Sequence, residues 1–271
     1  MPELPEVETT RRGIAPHLVG HRLARITVRD PRLRWPVPAT LGGTLPGRAV
    51  EEVARRGKYL LIRVEGGTLI LHLGMSGSVR VLAADTPPGP HDHVDLVLDD
   101  GRALRLTDPR RFGCLLWTTD DPARHPLLAG LGPEPFDPSF DGAYLYARSR
   151  GRRVPVKGFL MDAQTVVGVG NIYASESLFL AGIHPARAAG RCSRGRLGAL
   201  AERVREVLEK AIRAGGTTLR DFLGADGAPG YFAQHLRVYG RAGEPCERCR
   251  HPIVRRVIAQ RASYYCPRCQ R

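Results

Sequence analysis

Tyr59-Leu60-Leu61-Ile62-Arg63-Val64 and Thr68-Leu69-Ile70-Leu71-His72-Leu73 read as two β-strands, with Gly66-Gly67 supplying the turn between them. Both runs are rich in leucine and β-branched residues and too short for a helix. Working outward, Val79 to Ala83 continues the pattern. Val94 to Leu98 and Leu104 to Leu106 flank Asp100-Gly101, a strong hairpin signal. Phe112 to Trp117 follows. Upstream, Ala24, Ile26 and Val28 alternate with Arg25, Thr27 and Arg29. About eight short strands at such spacing predict a sandwich or flattened barrel.

Two loops interrupt this β region. His72-Leu73-Gly74-Met75-Ser76-Gly77 sets a methionine between glycines, and Asp108-Pro109-Arg110-Arg111-Phe112-Gly113 sets two arginines and a phenylalanine after a proline turn. Each alone reads as an ordinary turn. Together they offer apolar wedges, Met75 and Phe112, and a groove-reaching arginine, Arg110, which are the tools for kinking a duplex.

Before the strands comes Met1-Pro2-Glu3-Leu4-Pro5-Glu6-Val7-Glu8-Thr9-Thr10-Arg11-Arg12. Pro5 suits the first helical position, and Glu6 and Glu8 suit the positive end of a helix dipole. Leu4, Val7, Ile14 and Leu18 fall near one helical face, which would pin the helix to a core. If Met1 is removed, Pro2 presents a secondary amine. An α-amino group has a reference pKa of about 8, so a neutral fraction near pH 7 can attack an aldehyde-like carbon. The plainer reading is an acidic cap on a helix that happens to follow Met-Pro.

After the strands, residues 120 to 143 are rich in Pro, Asp and Gly and read as a hinge. Val167-Gly168-Val169-Gly170-Asn171 leads into a helix over Ile172 to Ala181 that Gly182 would stop. Asn171 stands where an N-cap belongs, and the glycines before it could also bare N–H groups to a phosphate. Ser193 opens a long amphipathic helix with Leu197, Leu200, Val204, Val207 and Ala211 on one face, ended by Gly215-Gly216. Thr218 and Asp221 resemble a capping box, and Gly224 to Tyr231 is a glycine-rich loop.

The 271 residues carry a formal charge of +14, which predicts a polyanionic partner, most simply nucleic acid. Only three lysines occur in so arginine-rich a chain: Lys58, Lys157 and Lys210. A position that stays lysine can signal a need for its tunable amine, although Lys210 reads as helix surface. The start is acidic and polar, with no apolar run, and no stretch reaches membrane-spanning length, so neither a secretory signal nor a membrane is expected. Cys246-x2-Cys249-x16-Cys266-x2-Cys269 has the spacing of a four-cysteine zinc ribbon. One structural Zn²⁺ per chain is therefore expected. Ile253 to Ile258 and Ala262 to Tyr265 would pair as a hairpin with Arg261 near its tip. Cys114 and Cys192 stand apart and read as buried thiols, in keeping with a reducing cytoplasm.

At this point the chain resembles the bacterial formamidopyrimidine-DNA glycosylases, enzymes that remove oxidised purines from DNA. The resemblance runs from Pro2 to the end. It rests on residues 2–9, 55–60, 72–77, 91–96 and 107–113, on Leu160-Met161-Asp162 with residues 166–176, on residues 214–222, 230–232 and 238–241, and on the cysteine tail. The sister family, endonuclease VIII, usually begins Pro-Glu-Gly-Pro and lacks the Met/Arg/Phe set. The resemblance implies an α+β protein: an N-terminal helix plus an eight-stranded β-sandwich over residues 1–133, a linker over 134–150, a helix-two-turn-helix domain over 151–236, and a zinc-finger hairpin over 237–271.

It also implies roles. Pro2 would attack C1′ of the damaged nucleotide, Glu3 would act as acid, and Lys58 would serve as general acid/base beside a phosphate. Arg261 would assist δ-elimination and grip a phosphate with Asn171. His91, Arg110 and Arg152 match DNA contacts. The family is lysine-rich near the last, where this chain reads Gly151-Arg152-Arg153, so the choice between those two arginines stays open. Met75, Arg110 and Phe112 would fill the space left by the everted base, and the loop from Gly224 would close over the lesion. The implied partner is damaged double-stranded DNA, met by a monomer in the cytoplasm at the nucleoid. The rival reading is a nucleic-acid-binding protein without chemistry, for which the charge and the zinc hairpin suffice.

Overall fold

A computed structural model describes residues 2–217 and 235–271. The capping pair at Thr218 and Asp221, the loop from Gly224 to Tyr231, and Met1 lie outside the described residues. Those that are described divide into two compact units, residues 2–129 with 214–217, and residues 130–213 with 235–271.

In the first unit, helix α1 (Leu4–Leu18) starts at an N-cap, Glu3, that forms a capping box with Glu6. Pro5 sits one residue inside the first helical position, because Glu3 rather than Leu4 takes the cap. Strands β1 (Leu23–Val28), β2 (Val50–Arg56), β3 (Tyr59–Val64), β4 (Gly67–His72), β5 (Ser78–Ala83), β6 (Asp92–Leu98), β7 (Arg102–Thr107) and β8 (Cys114–Thr118) follow, with a short helix α2 (Leu41–Thr44) between the first two. They form two antiparallel four-stranded sheets, β1-β6-β7-β5 and β2-β3-β4-β8, so the sandwich has its eight strands. The turn between β3 and β4 is Glu65-Gly66, since Gly67 already pairs with Val64, and Gly66 takes φ 83°.

Strand β2 is absent from the sequence reading for a physical reason. Its register shifts between Val50 and Glu52, and the bulge puts Val50 and Val53 in the core at a spacing of three. The period-2 signal is lost there. Phe112 belongs to the loop before β8, not to the strand. Val7, Ile14 and Leu18 of α1 share one apolar core with residues of both sheets, among them Leu60, Leu71, Leu96 and Leu106.

The second unit contains α3 (Gly142–Ser149), α4 (Val156–Met161), α5 (Asn171–Leu180), α6 (Arg194–Arg213) and the hairpin β9 (Val254–Ile258) with β10 (Arg261–Tyr265). Helix α3 lies within the stretch read as linker, where the Asp141 carboxylate caps it by accepting from Tyr144 N–H at 2.7 Å. Helix α5 is stopped by Gly182 at φ 67°. Leu197, Leu200, Val204, Val207 and Ala211 of α6 are all buried. Ala259 and Gln260 form the hairpin turn, both at positive φ.

Candidate functional site

Pro2 and Glu3 are buried at the start of α1, Glu3 at 2 % exposure. The Glu6 carboxylate accepts from Glu3 N–H at 2.8 Å and, with its other oxygen, from Thr217 N–H at 2.7 Å. Gly216 makes room for this, since a Cβ there would press on the Glu6 side chain at 3.1 Å. The backbone just after Pro2 is therefore held by one doubly engaged carboxylate.

Lys58 occupies the second place of the two-residue loop Gly57-Lys58, where Arg56 pairs with Tyr59. It projects from a hairpin apex rather than from a strand start. Gly57 takes φ 57°, the first-position glycine that such a loop demands. Next to it, the Tyr59 and His72 rings meet at 4.7 Å. Burial first, then the Lys58 charge, pushes the His72 imidazole down to about 4. It stands neutral, and its Nδ1 accepts from Gly74 N–H at 2.9 Å. The Lys58 hairpin is thus linked to the residue before Met75.

Asp108 joins the two loops that carry Met75 and Phe112. It is fully buried. Its carboxylate accepts from Ser76 Oγ at 3.0 Å, from Gly113 N–H at 2.8 Å and from Arg110 N–H at 3.3 Å. Its N–H donates to the His91 carbonyl at 3.0 Å, and its carbonyl accepts from His93 Nε2 at 2.8 Å. Gly74 lies so close to Phe112 that a Cβ would clash with the Phe112 backbone. The loops that carry Met75, Arg110 and Phe112 accordingly meet at one carboxylate, and His91 is tied to the backbone of the same residue. Phe112 is 43 % exposed, with the Arg110 guanidinium 5.0 Å from its ring centroid. An exposed phenylalanine under an arginine has no role in the core. Beside it opens a cavity of about 150 Å³ lined by Arg34, Trp35, Tyr59, His72, Phe112 and Cys114, with Leu127 at its edge.

In the second unit Asn171 is the first helical residue of α5, and Gly170 takes the cap. Its side chain is turned to Tyr239, with Nδ2 donating to the hydroxyl at 3.4 Å. Tyr239 in turn meets Tyr264 of β10 at 4.9 Å between ring centroids. Arg261 opens β10 and is exposed, as are Arg152 and Arg153. Two buried charges, neither marked in sequence as structural, hold this assembly. Glu176 of α5 accepts the N–H groups of Arg237, Val238 and Tyr239 at 2.9, 3.0 and 2.9 Å. Burial raises its pKa against the pull of those donors. Lys157 of α4 donates to the Ala262 carbonyl at 3.0 Å and to Ser263 Oγ at 2.7 Å. The rare lysine is a buried tie to the hairpin, whereas Lys210 is surface and pairs with Glu206.

The four tail cysteines place every Sγ within 4.8 Å of the others, with Cys249–Cys266 at 3.5 Å and Cys246–Cys269 at 3.9 Å. A tetrahedron with Zn–S bonds of about 2.3 Å has edges of about 3.8 Å. The set fits one structural Zn²⁺ with no open position. Cys114 and Cys192 are buried free thiols. No helix among the described residues is long and apolar enough to cross a membrane.

A sandwich with an exposed arginine–phenylalanine loop, together with a helical unit ending in a zinc hairpin, defines a zinc-hairpin DNA-binding protein of the helix-two-turn-helix kind. Three family profiles match in order: the formamidopyrimidine-DNA glycosylase N-terminal domain at residues 1–115, its H2TH domain at 131–223, and the zinc finger found in FPG and IleRS at 243–271. The chain belongs to the formamidopyrimidine-DNA glycosylase family. It is 62 % identical to the formamidopyrimidine-DNA glycosylase of Methylococcus capsulatus over the full length of both chains. The MutM (FPG) protein of Thermus thermophilus superposes with a TM-score of 0.89 at 42 % identity, covering 99 % of this chain and 98 % of that one. A Lactococcus lactis FPG mutant in complex with a Fapy-dG containing DNA superposes at 0.93 with 34 % identity, covering all of both chains.

Proposed function

We propose that this glycosylase of base excision repair excises 8-oxoguanine and formamidopyrimidines from duplex DNA through a Schiff base at Pro2, then cuts the strand by β,δ-elimination. With Met1 removed, the neutral Pro2 amine attacks C1′, and the bond from C1′ to the base breaks. Glu3 delivers a proton that assists opening of the sugar ring. The resulting iminium acidifies the C2′ proton. Its loss expels the 3′ phosphate oxygen, and a second elimination, assisted by Arg261, expels the 5′ one. Water then frees Pro2. Lys58 acts as general acid/base beside the adjacent phosphate.

The remaining residues bind and shape the DNA. Asn171 and Arg261 grip phosphates, His91 and one of Arg152 or Arg153 make further DNA contacts, and Met75, Arg110 and Phe112 fill the gap left by the everted nucleotide, Arg110 facing the orphaned cytosine. Residues 1–133 carry the chemistry. Residues 151–236 and the zinc finger over 237–271, reached through the linker at 134–150, carry anchors. Zinc bound by Cys246, Cys249, Cys266 and Cys269 supplies shape to the hairpin. The enzyme acts as a monomer in the cytoplasm, at the nucleoid.

The observation that carries this reading is the start of α1 in a chain that matches its family end to end. Pro2 is buried beside Glu3, whose N–H is pinned by Glu6. Borohydride trapping on duplex with 8-oxoguanine opposite cytosine tests it. A covalent adduct that Pro2→Gly weakens, and base excision stopped by Glu3→Gln with binding spared, are expected. Intact binding with no adduct leaves only the binder.

A further inference from the structure

Glu8 lies in the second turn of α1, five residues after the cap, and three arginines converge on it. Arg11 donates through Nε at 3.1 Å and Nη2 at 2.9 Å, Arg12 through Nε at 2.8 Å, and Arg55 of β2 through Nε at 3.1 Å. Both carboxylate oxygens are thereby filled. Arg11 also donates to the Val53 carbonyl of β2 at 3.2 Å. Arg55 continues the chain of contacts, with Nη1 donating at 3.0 Å to the carbonyl of Gly57, the residue before Lys58. The side chains of Arg55 and Glu8 are each only 11 % exposed, so neither is a surface charge awaiting a phosphate.

We infer that the Glu8–Arg55 pair is a positioning device: it orients the turn that presents Lys58 against the end of α1 that presents Pro2. Apolar side chains could hold α1 on the sheet at least as well, because a largely buried ion pair repays little more than its desolvation. A guanidinium does something they cannot. Its planar fork fixes two acceptors, Glu8 on the helix and Gly57 in the loop, at a set angle. Burial alone would raise the Glu8 carboxyl, but the three arginines outweigh it and hold it at about 2, so the pair is ionised at any working pH. The inference rests on the proposed roles of Pro2 and Lys58.

The test uses the full-length, zinc-loaded protein on duplex containing 8-oxoguanine. Single-turnover excision and Kd are measured for Glu8→Gln, Arg55→Met, Arg55→Lys and the double variant Glu8→Gln/Arg55→Met. Misplacing a catalytic group by a fraction of an ångström costs rate rather than affinity, so each of the first two slows excision about tenfold with Kd within about twofold. The double variant is no slower than the slower single, because both break one link. Glu8→Gln removes a negative charge and cannot weaken phosphate binding electrostatically, which separates lost positioning from lost contact. Arg55→Lys keeps the ion pair but cannot also span to the Gly57 carbonyl. It still slows excision, and it carries the test if Arg55→Met does not fold. Unchanged rates in folded Glu8→Gln and Arg55→Lys overturn the inference, as does a rate loss that follows Kd. Pro2→Gly is run alongside. If it leaves trapping intact, the reading of Pro2 fails. If it abolishes trapping while the Glu8 and Arg55 variants stay fast, only the positioning role fails.

Discussion

Helix α1 and the zinc hairpin each carry one proposed site residue, Pro2 just before the helix and Arg261 in the hairpin, and the two elements are stabilised by different physics. Val7, Ile14 and Leu18 of α1 are all at most 1 % exposed, in a sandwich core that both sheets share. Glu6 then ties its start to the Thr217 backbone, and Glu8 ties its second turn to Arg55 of β2. The hairpin has no such core. Its apolar cluster is Phe179, Val238, Ile253 and the cysteines Cys246 and Cys266, while Val257 stands 69 % exposed. So small a module needs a staple, and four thiolates around one ion provide it. Stability is spread over many contacts in one region and concentrated in one centre in the other, and damage should follow that division.

Removing the metal breaks the comparison most sharply. Structural zinc contributes on the order of 10 kcal/mol to small zinc modules. Chelation or Cys266→Ser is expected to abolish tight DNA binding while the sandwich stays folded. Both tryptophans, Trp35 and Trp117, lie in the first unit, so selectively excited tryptophan fluorescence reports on the sandwich alone. Loss of that signal together with zinc would contradict the division. A core truncation acts the other way. Ile14→Ala should cost about 2–5 kcal/mol of sandwich stability in denaturant melts, with one zinc per chain retained.

Acid separates the regions more gently. Burial lifts the Glu8 carboxyl, but hydrogen bonds from Arg11, Arg12 and Arg55 outweigh it and lower the pKa from 4.5 to about 2. A depressed carboxylate stabilises the fold fully above its unfolded value and loses that contribution as pH falls through the folded one. The sandwich should therefore lose stability from about pH 4.5 down to about pH 2, and Glu8→Gln should be less stable at neutral pH yet flatter across that window. The smallest effect is at the hairpin tip. Arg261→Ala should leave the melting temperature in place and flatten the salt dependence of DNA binding by about one phosphate contact. An unchanged slope would remove Arg261 from the phosphate anchors.

Much of this was legible in the sequence where a pattern is local. Strands with period-2 burial and the cysteine spacing need only neighbouring residues to be read. Strand β2 escaped because its bulge spaces Val50 and Val53 by three. Asn171 looks like a cap from its place after two glycines. Its amide instead faces Tyr239, sixty-eight residues away, and the backbone of Gly170 begins the helix. Asp108, Glu176 and Lys157 share that limit: each has partners that lie far along the chain. Asp108 ties the Met75 and Phe112 loops together, Glu176 holds amides of residues 237–239, and Lys157 holds the backbone at Ala262. Only a folded chain brings those partners within reach.

The central claim is that Pro2 is the nucleophile. Peptide mass mapping of the borohydride-reduced adduct, formed on 8-oxoguanine duplex by protein from its own host, tests it most directly. The account predicts that the sugar remnant is carried by a peptide whose first residue is Pro2, with Met1 gone. A remnant on Lys58, or an active protein that keeps Met1, would contradict it.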